Sequence, residues 1–232
     1  MRPDKLAEAI AEDRAAGIVP MAVVATSGTT STTSIDPIDA IADVTERETV
    51  WLHVDAAYGG SMAVSKRHRD VLDGAGRAQS IVINPHKWLF VPMDCSVLFC
   101  NEMPAIRETL SLLPPYLMTP EDKVARHLMD YGPALGRRFR ALKLWFTFRW
   151  FGQDGMAALI DKHVDLARDF ARRVEAEADW EVVAPHPMSL VLFRFCPDGI
   201  EDLQALNEDI LARVNEIGRS MISQTVVNHP DG

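Results

Sequence analysis

Val50-Trp51-Leu52-His53-Val54-Asp55-Ala56-Ala57-Tyr58-Gly59-Gly60 and Ser80-Ile81-Val82-Ile83-Asn84-Pro85-His86-Lys87-Trp88 together decide the fold. Each opens with an apolar run of strand length and breaks off into polar and small residues, at Asp55 in one and at Asn84 in the other. Working outward, Met21-Ala22-Val23-Val24-Ala25 reads as a buried strand that empties into a hydroxyl-rich loop, Thr26 to Ser34. Cys95 to Phe99 reads as a further strand. Helices fit between them. The first spans about Asp4 to Ala16, with Asp4 as its cap, Leu6, Ala9 and Ile10 on one face and Gly17 at a left-handed stop. The second opens at Asp36-Pro37, a cap followed by an N1 proline, and turns Ile38, Ile41 and Ala42 inward. Strands alternating with helices at this spacing predict an α/β layered domain with a largely parallel sheet.

After Asn101 the texture changes. Residues 103–118 lack a clean period, contain Pro114-Pro115 and read as a loop. Thr119-Pro120-Glu121-Asp122 starts a helix that Gly132-Pro133 stops. Residues 136–151 interleave Arg137, Arg138, Arg140, Lys143 and Arg149 with Phe139, Leu142, Trp145, Phe146 and Phe148, which predicts a helix packed by its aromatic face. Another helix follows to about Ala178. Glu181-Val182-Val183, Ser189 to Phe195, a helix near Ile200 to Ile217 and Ser223 to Val227 read as a small βαβ-like second unit.

Composition narrows the class of function. The 232 residues are 47% apolar and 25% charged, an ordinary globular balance, and 33 acidic against 24 basic residues give a net charge of −9. That sign offers no electrostatic footprint for nucleic acid or for an anionic membrane, and no apolar run reaches spanning length. Met1-Arg2-Pro3-Asp4-Lys5 leads into an Ala/Glu/Asp-rich stretch and not a signal core. Cys95, Cys100 and Cys196 are odd in number and lack zinc spacing, which fits a reducing cytoplasm. His68, His127, His163, His186 and His229 lack metal-ligand spacing and default to surface or core, so no metal is expected. His53 shares the Asp55 side of its strand and reads as a supporting or core residue. Gly59-Gly60-Ser61-Met62-Ala63 misses the nucleophile elbow at its last position, which rejects a serine hydrolase.

The chemistry rests on Asp55 and Lys87. Both follow strands, and ligands of open α/β sheets bind beyond the carboxyl ends of strands, so the two are expected to share a crevice. A lysine there can form a Schiff base, and an acid opposite can hold a pyridinium nitrogen protonated. Ala56 and Ala57 are small enough for a flat ring to lie against the backbone. Taken singly, a lysine after a strand is ordinarily a solvated charge and an aspartate there a helix cap; spacing alone leaves that reading open.

HVDAAYGG (53–60) and NPHKW (84–88), with ATSGTT (25–30) before and LGRRFRALK (135–143) after, resemble the group II pyridoxal-phosphate decarboxylases. The nearest branch is the aromatic-L-amino-acid decarboxylases, which include tyrosine and tryptophan decarboxylases. The resemblance runs from the first helix to about Arg194. It implies a fold-type I PLP-dependent transferase-like α/β architecture: a partial large domain with a mostly parallel sheet plus a partial small C-terminal α/β domain. The implied divisions are 1–102 for the cofactor-binding part, 103–133 for a catalytic loop and its helix, 134–178 for connecting helices and 179–232 for the small domain.

The resemblance also implies roles. Lys87 matches the lysine that holds pyridoxal 5'-phosphate covalently, and Asp55 the partner of its ring nitrogen. Asn84 and His86 match residues on the phosphate side, Thr30 a cofactor-contacting hydroxyl, and Ala57 the small residue under the ring. Tyr116, in PPYL, falls on the loop tyrosine that protonates the α-carbon in decarboxylating members, reaching the neighbouring subunit of a homodimer. Gly136 falls where Gly accompanies indolic substrates and Ser phenolic ones. The expected activity is decarboxylation of an aromatic L-amino acid to the amine and CO₂. Two alternatives stand beside it. One is an aldehyde synthase of the same family, against which Tyr116 argues, since those members resemble the pattern with Phe there. The other is a non-catalytic remnant that folds only with a partner chain, because family members are about twice this length and the resemblance starts in mid-domain.

Overall fold

A computed structural model describes residues 1–111 and 127–227. Four strands, β1 (Ala22–Thr26), β2 (Trp51–Asp55), β3 (Ser80–Ile83) and β4 (Val97–Cys100), lie in one sheet in sequence order. β1, β2 and β3 run parallel, with Thr26 opposite Asp55 and Asp55 opposite Val82, while β4 returns antiparallel to β3. The largely parallel sheet is therefore as expected, with an antiparallel strand at one edge.

Helices α1 (Pro3–Ala15) and α2 (Ile38–Glu48) cover one face of this sheet. Alternation supplies the contact: Val23, Ala25, Leu52 and Val54 point into a core shared with Ile10, Ile38, Ile41 and Ala42. β1 differs from the buried strand that the sequence suggests. It is the sheet's outer edge, only alternate residues are buried, and Val24 is 52% exposed. Gly17 takes φ +78° after α1, as its position foretells. Neither aspartate caps as expected. The α1 cap position is Arg2, and Asp4 pairs with it instead. Pro37 occupies the α2 cap position, and Asp36 accepts from the Thr26 amide (2.8 Å) and from the N-terminal amine.

The loop after β2 winds through short 3-10 turns to β3, and β3 runs directly into α3 (Pro85–Trp88). Residues 103–111 are not all loop. Met103–Leu110 form helix α4, started by Pro104 in its first turn, where a missing N–H costs nothing. The helix expected from Thr119 begins outside the described residues; a 3-10 turn at Leu128–Tyr131 precedes Gly132.

α5 (Arg140–Ala176) is two successive helices, as expected, joined at Gly152, whose φ of +67° is not helical. Past the kink, Met156, Ile160, Val164, Ala167, Ala171 and Val174 are buried. Before it nothing is. Phe139, Trp145, Phe146 and Trp150 face outward, Trp150 at 84% exposure, so this segment is a helix but its aromatic face is not packed. Arg149 lies over the Trp145 ring at 5.8 Å.

The C-terminal unit is smaller and simpler than a βαβ. β5 (Trp180–Val182) and β6 (Phe193–Phe195) pair antiparallel, and α6 (Leu203–Ile217) follows with Asp202 accepting from the Ala205 amide. Residues 223–227 form no strand. Short polar-flanked runs do not reveal pairing direction, which the antiparallel ladder decides through contacts far apart in sequence.

Candidate active site

Three segments converge beyond the carboxyl ends of β1, β2 and β3: the Thr26–Ser34 loop, residues 55–60, and α3. Backbone hydrogen bonds stitch them together. Ser27 N–H donates to Asp55 C=O (2.9 Å), Gly59 N–H to Ser27 C=O (3.1 Å), Ala56 N–H to Val82 C=O (3.1 Å) and Asn84 N–H to Ala57 C=O (3.1 Å). Parallel pairing makes this unavoidable, because adjacent parallel strands end at the same side.

Asp55 is half-buried, and its Oδ1 accepts from the Ala57 N–H at 3.0 Å. Oδ2 accepts nothing among the described residues. Lys87 is exposed, and its Nζ has no hydrogen bond or ion pair there either. A carboxylate oxygen at the end of β2 and an amine on the short helix after β3, both without a partner among the described residues, are the donor set that a ring-and-aldehyde cofactor requires. The residues present therefore fit pyridoxal phosphate in chemistry.

The flanking residues are committed to holding this frame. His86 Nδ1 lies 2.6 Å from the Cys95 carbonyl oxygen and 3.0 Å from its amide nitrogen; the shorter contact requires a proton on Nδ1. Asn84 Oδ1 accepts from Ser96 Oγ at 2.6 Å. Burial pushes the Cys95 thiol up, so it is an inert core group and no nucleophile. Asp94 Oδ2 takes Arg140 Nη2 at 2.8 Å, tying the α5 start to this loop, and the guanidinium holds that carboxyl below the usual carboxylate range.

Thr30 is exposed at the edge of the same end, its hydroxyl without a partner among the described residues. Ala57 stands beside Asp55, whereas Ala56 is fully buried in the α1/α2 core and cannot support a ring. His53 is held by Ser80 Oγ at 2.8 Å on the Asp55 face, as a supporting residue. Gly136 precedes α5 in open space, with no atom within 4 Å of where a Cβ would stand, so nothing described brings it to the site. Tyr116 lies outside the described residues. Among those residues no group of three His, Cys, Asp or Glu is placed to hold a metal ion.

Sequence reasoning passed over the parts that arrive from far along the chain. Met188 and Ser189 come in beneath the loops: Met188 is fully buried, and a Cβ on Gly59 would meet its Cε at 2.8 Å. Tyr58 stacks on Trp88 with centroids 4.8 Å apart, and its hydroxyl bonds Ser189 Oγ. Burial pushes the Tyr58 phenol above its ordinary value of 10, the Ser189 hydrogen bond opposing weakly. His163 accepts from the Trp88 indole N–H at 3.1 Å, so it is neither idle surface nor plain core. No local pattern marks these residues; Tyr58 and Trp88 sit inside the two quoted motifs, and that is the only signal they give.

Comparison with known proteins gives the family. Residues 1–196 match the pyridoxal-dependent decarboxylase conserved domain. "Tyrosine decarboxylase 2" of Arabidopsis thaliana is 38% identical over 233 aligned positions, covering 98% of this chain and 43% of that protein. A phenylacetaldehyde synthase from the same plant is 35% identical, covering 98% and 47%. The solved structure of Oryza sativa TDC with PLP and tryptamine superposes with a TM-score of 0.92 at 36% identity, covering 98% of this chain and 48% of that one. The chain thus spans less than half the length of these relatives. A match through 196 consecutive residues and a neighbour that superposes closely lead to one assignment: the chain belongs to the pyridoxal-dependent decarboxylase family.

Proposed function

We propose that this chain supplies the lysine-bearing part of a pyridoxal 5'-phosphate site that removes the carboxylate of an aromatic L-amino acid, releasing the amine and CO₂. The observation that carries the reading is a pair of groups without partners among the described residues, Asp55 Oδ2 at the end of β2 and Lys87 Nζ on the helix that follows its parallel neighbour β3. Lys87 would hold the cofactor aldehyde carbon covalently. Asp55 would keep the pyridine nitrogen protonated by its charge, its other oxygen being fixed by the Ala57 amide. Asn84, His86 and Thr30 would face the phosphate end, with Ala57 beside the ring. When bound, the cofactor supplies an electron-accepting ring for the electron pair left by departing CO₂. Tyr116 is proposed as the α-carbon proton donor and Gly136 as the position that admits a bicyclic, indolic side chain.

Two further readings have support. The likeness to a phenylacetaldehyde synthase favours an aldehyde-forming variant, and a tyrosine at position 116 opposes it. The outward aromatic face before Gly152 favours a non-catalytic chain that folds only with a partner. We also propose a homodimer, supported by the outward aromatic face before Gly152, and a cytoplasmic location, supported by three unpaired cysteines. No helix among the described residues is long and apolar enough to cross a membrane.

Borohydride reduction of the 232-residue chain with pyridoxal phosphate, followed by peptide mass mapping, tests the cofactor assignment. A pyridoxyl group on Lys87 is expected. An adduct only elsewhere, none at all, or undiminished incorporation in Lys87→Ala refutes it.

A further inference from the structure

Helix α3 has four residues, too few to hold its own shape, since helix nucleation alone is unfavourable. Lys87 therefore owes its place to its neighbours. On one side His86 is pinned to the Cys95 carbonyl oxygen twice, by its Nδ1–H at 2.6 Å and by its backbone N–H at 3.3 Å. On the other, Trp88 is 4% exposed and held twice: its ring lies flat on Tyr58, 9° from parallel, and its Nε1–H donates to His163 Nδ1 at 3.1 Å.

The two holds do different work. The stack joins the loop that carries Asp55, three positions before Tyr58, to the helix that carries Lys87, one position before Trp88. A flat stack can slide and rotate; a directional hydrogen bond stops the rotation. His163 supplies that stop from α5, where the flanking Ile160 and Val164 are fully buried in the core that also holds Trp88 and Met188. Phe90 closes the other side of the imidazole, edge-on at 5.6 Å. An indole N–H only donates, so His163 Nδ1 must carry a lone pair and the neutral ring has its proton on Nε2.

We propose that His163 is a positioning residue for the cofactor lysine: by accepting the Trp88 indole hydrogen bond it fixes the Trp88–Tyr58 stack and, through it, the separation of the Lys87 and Asp55 segments. This rests on the reading of Lys87 as the cofactor lysine. His163 bonds neither Lys87 nor the cofactor; it acts through the Trp88 hydrogen bond.

The test uses the 232-residue chain with His163→Leu, which removes the acceptor, and His163→Asn, whose side-chain oxygen can replace Nδ1. Trp88→Phe, which keeps a stacking ring and removes the N–H, serves as the reference. Two readouts are taken. In cofactor-free protein, hydrogen exchange of the Trp88 indole proton is followed by NMR, the resonance being identified by its loss in Trp88→Phe. With pyridoxal phosphate and borohydride, the rate of pyridoxyl incorporation at Lys87 is measured by mass. His163→Leu should speed indole exchange and slow Lys87 labelling about tenfold, with far-ultraviolet circular dichroism unchanged, and His163→Asn should restore both. In the Trp88→Phe background His163→Leu should change labelling no further, because the shared bond is already gone. Equal labelling in the unaltered chain and His163→Leu overturns the positioning role while leaving Lys87 as the cofactor lysine. Equal loss in the Leu and Asn variants, or an added loss in the double variant, overturns it as well. No labelling of Lys87 in the unaltered chain overturns the cofactor reading, and the positioning role with it.

Discussion

Asp55 has one carboxylate oxygen engaged by the Ala57 amide and one free, and that division sets what its replacement should do. In Asp55→Asn the amide oxygen can still accept from Ala57, so the loop keeps its shape. What disappears is the full charge that would hold a ring nitrogen protonated. Lys87 should still be labelled in the reduction experiment, while decarboxylation in the active protein should fall by at least about two orders of magnitude in kcat, the scale of losing a preorganised electrostatic partner. Steady-state assay of amine release checks this, and a variant within about threefold of the parent, about 0.65 kcal/mol in the barrier, removes Asp55 from the role. The strand ends before Asp55 and Lys87 were legible in the sequence because each closes an apolar run of strand length, while the roles proposed for the two residues came from the resemblance of the motifs around them. His163 and Ser189 were not legible. Their partners lie 75 and 131 positions away, and a single histidine or serine in a helix or loop carries no periodicity that would announce such a contact.

Between elements a tight joint lies where residue 59 passes under the end of β1. A Cβ on Gly59 would stand 2.5 Å from the Ser27 carbonyl oxygen and 2.6 Å from Ser27 Oγ, while Ser27 Oγ is itself bonded to the Val71 carbonyl. Backbone cannot yield as a flexible side chain can. Gly59→Ala should therefore lower stability by about 2 kcal/mol through overpacking. Gly76→Ala, with nothing within 4 Å of its added carbon, should stay within about 0.5 kcal/mol of the parent. Urea midpoints at constant slope measure both, and equal midpoints for the two variants would show that the close approach is not real. At this scale the sequence read element type well and element ends poorly. Asp4 and Asp36 looked like caps because aspartate before a helical pattern usually is one, but ion pairing with Arg2 and with the N-terminal amine competes for the same carboxylates. The helix at Met103–Leu110 was lost because Pro104 in a short segment reads equally as a turn.

Among the described residues, two groups of exposed apolar side chains bear on association. One is the stretch before Gly152, with Phe139, Trp145, Phe146 and Trp150. The other is the pair of sheet edges, with Val24 on β1 and Phe99, at 55% exposure, on β4. Patches of this kind mark surfaces that associate. The sequence foretold an amphipathic helix at 136–151 but could not tell an intramolecular from an intermolecular partner, since both demand the same pattern. Sedimentation velocity of the chain over about 1–100 μM should show concentration-dependent association. The double substitution Trp145→Lys, Trp150→Lys should shift the distribution toward monomer without altering far-ultraviolet circular dichroism. Identical distributions for parent and variant would remove this face from any interface, the proposed dimer included.

The sheet order β1-β2-β3-β4 has a chronological side. Each strand pairs with the one made just before it, so during synthesis every new strand finds its partner already outside the ribosome, and loop closure is short at each step. The clamp on Lys87 obeys a different clock. Tyr58 and Trp88 can meet early, but the histidine that stops the indole turning and the serine that holds the phenol are made after residues 163 and 189. For that interval the nascent chain carries β1 to β4 and a lysine helix without its two distant holds. On the proposed role of Lys87, cofactor capture waits for residue 189.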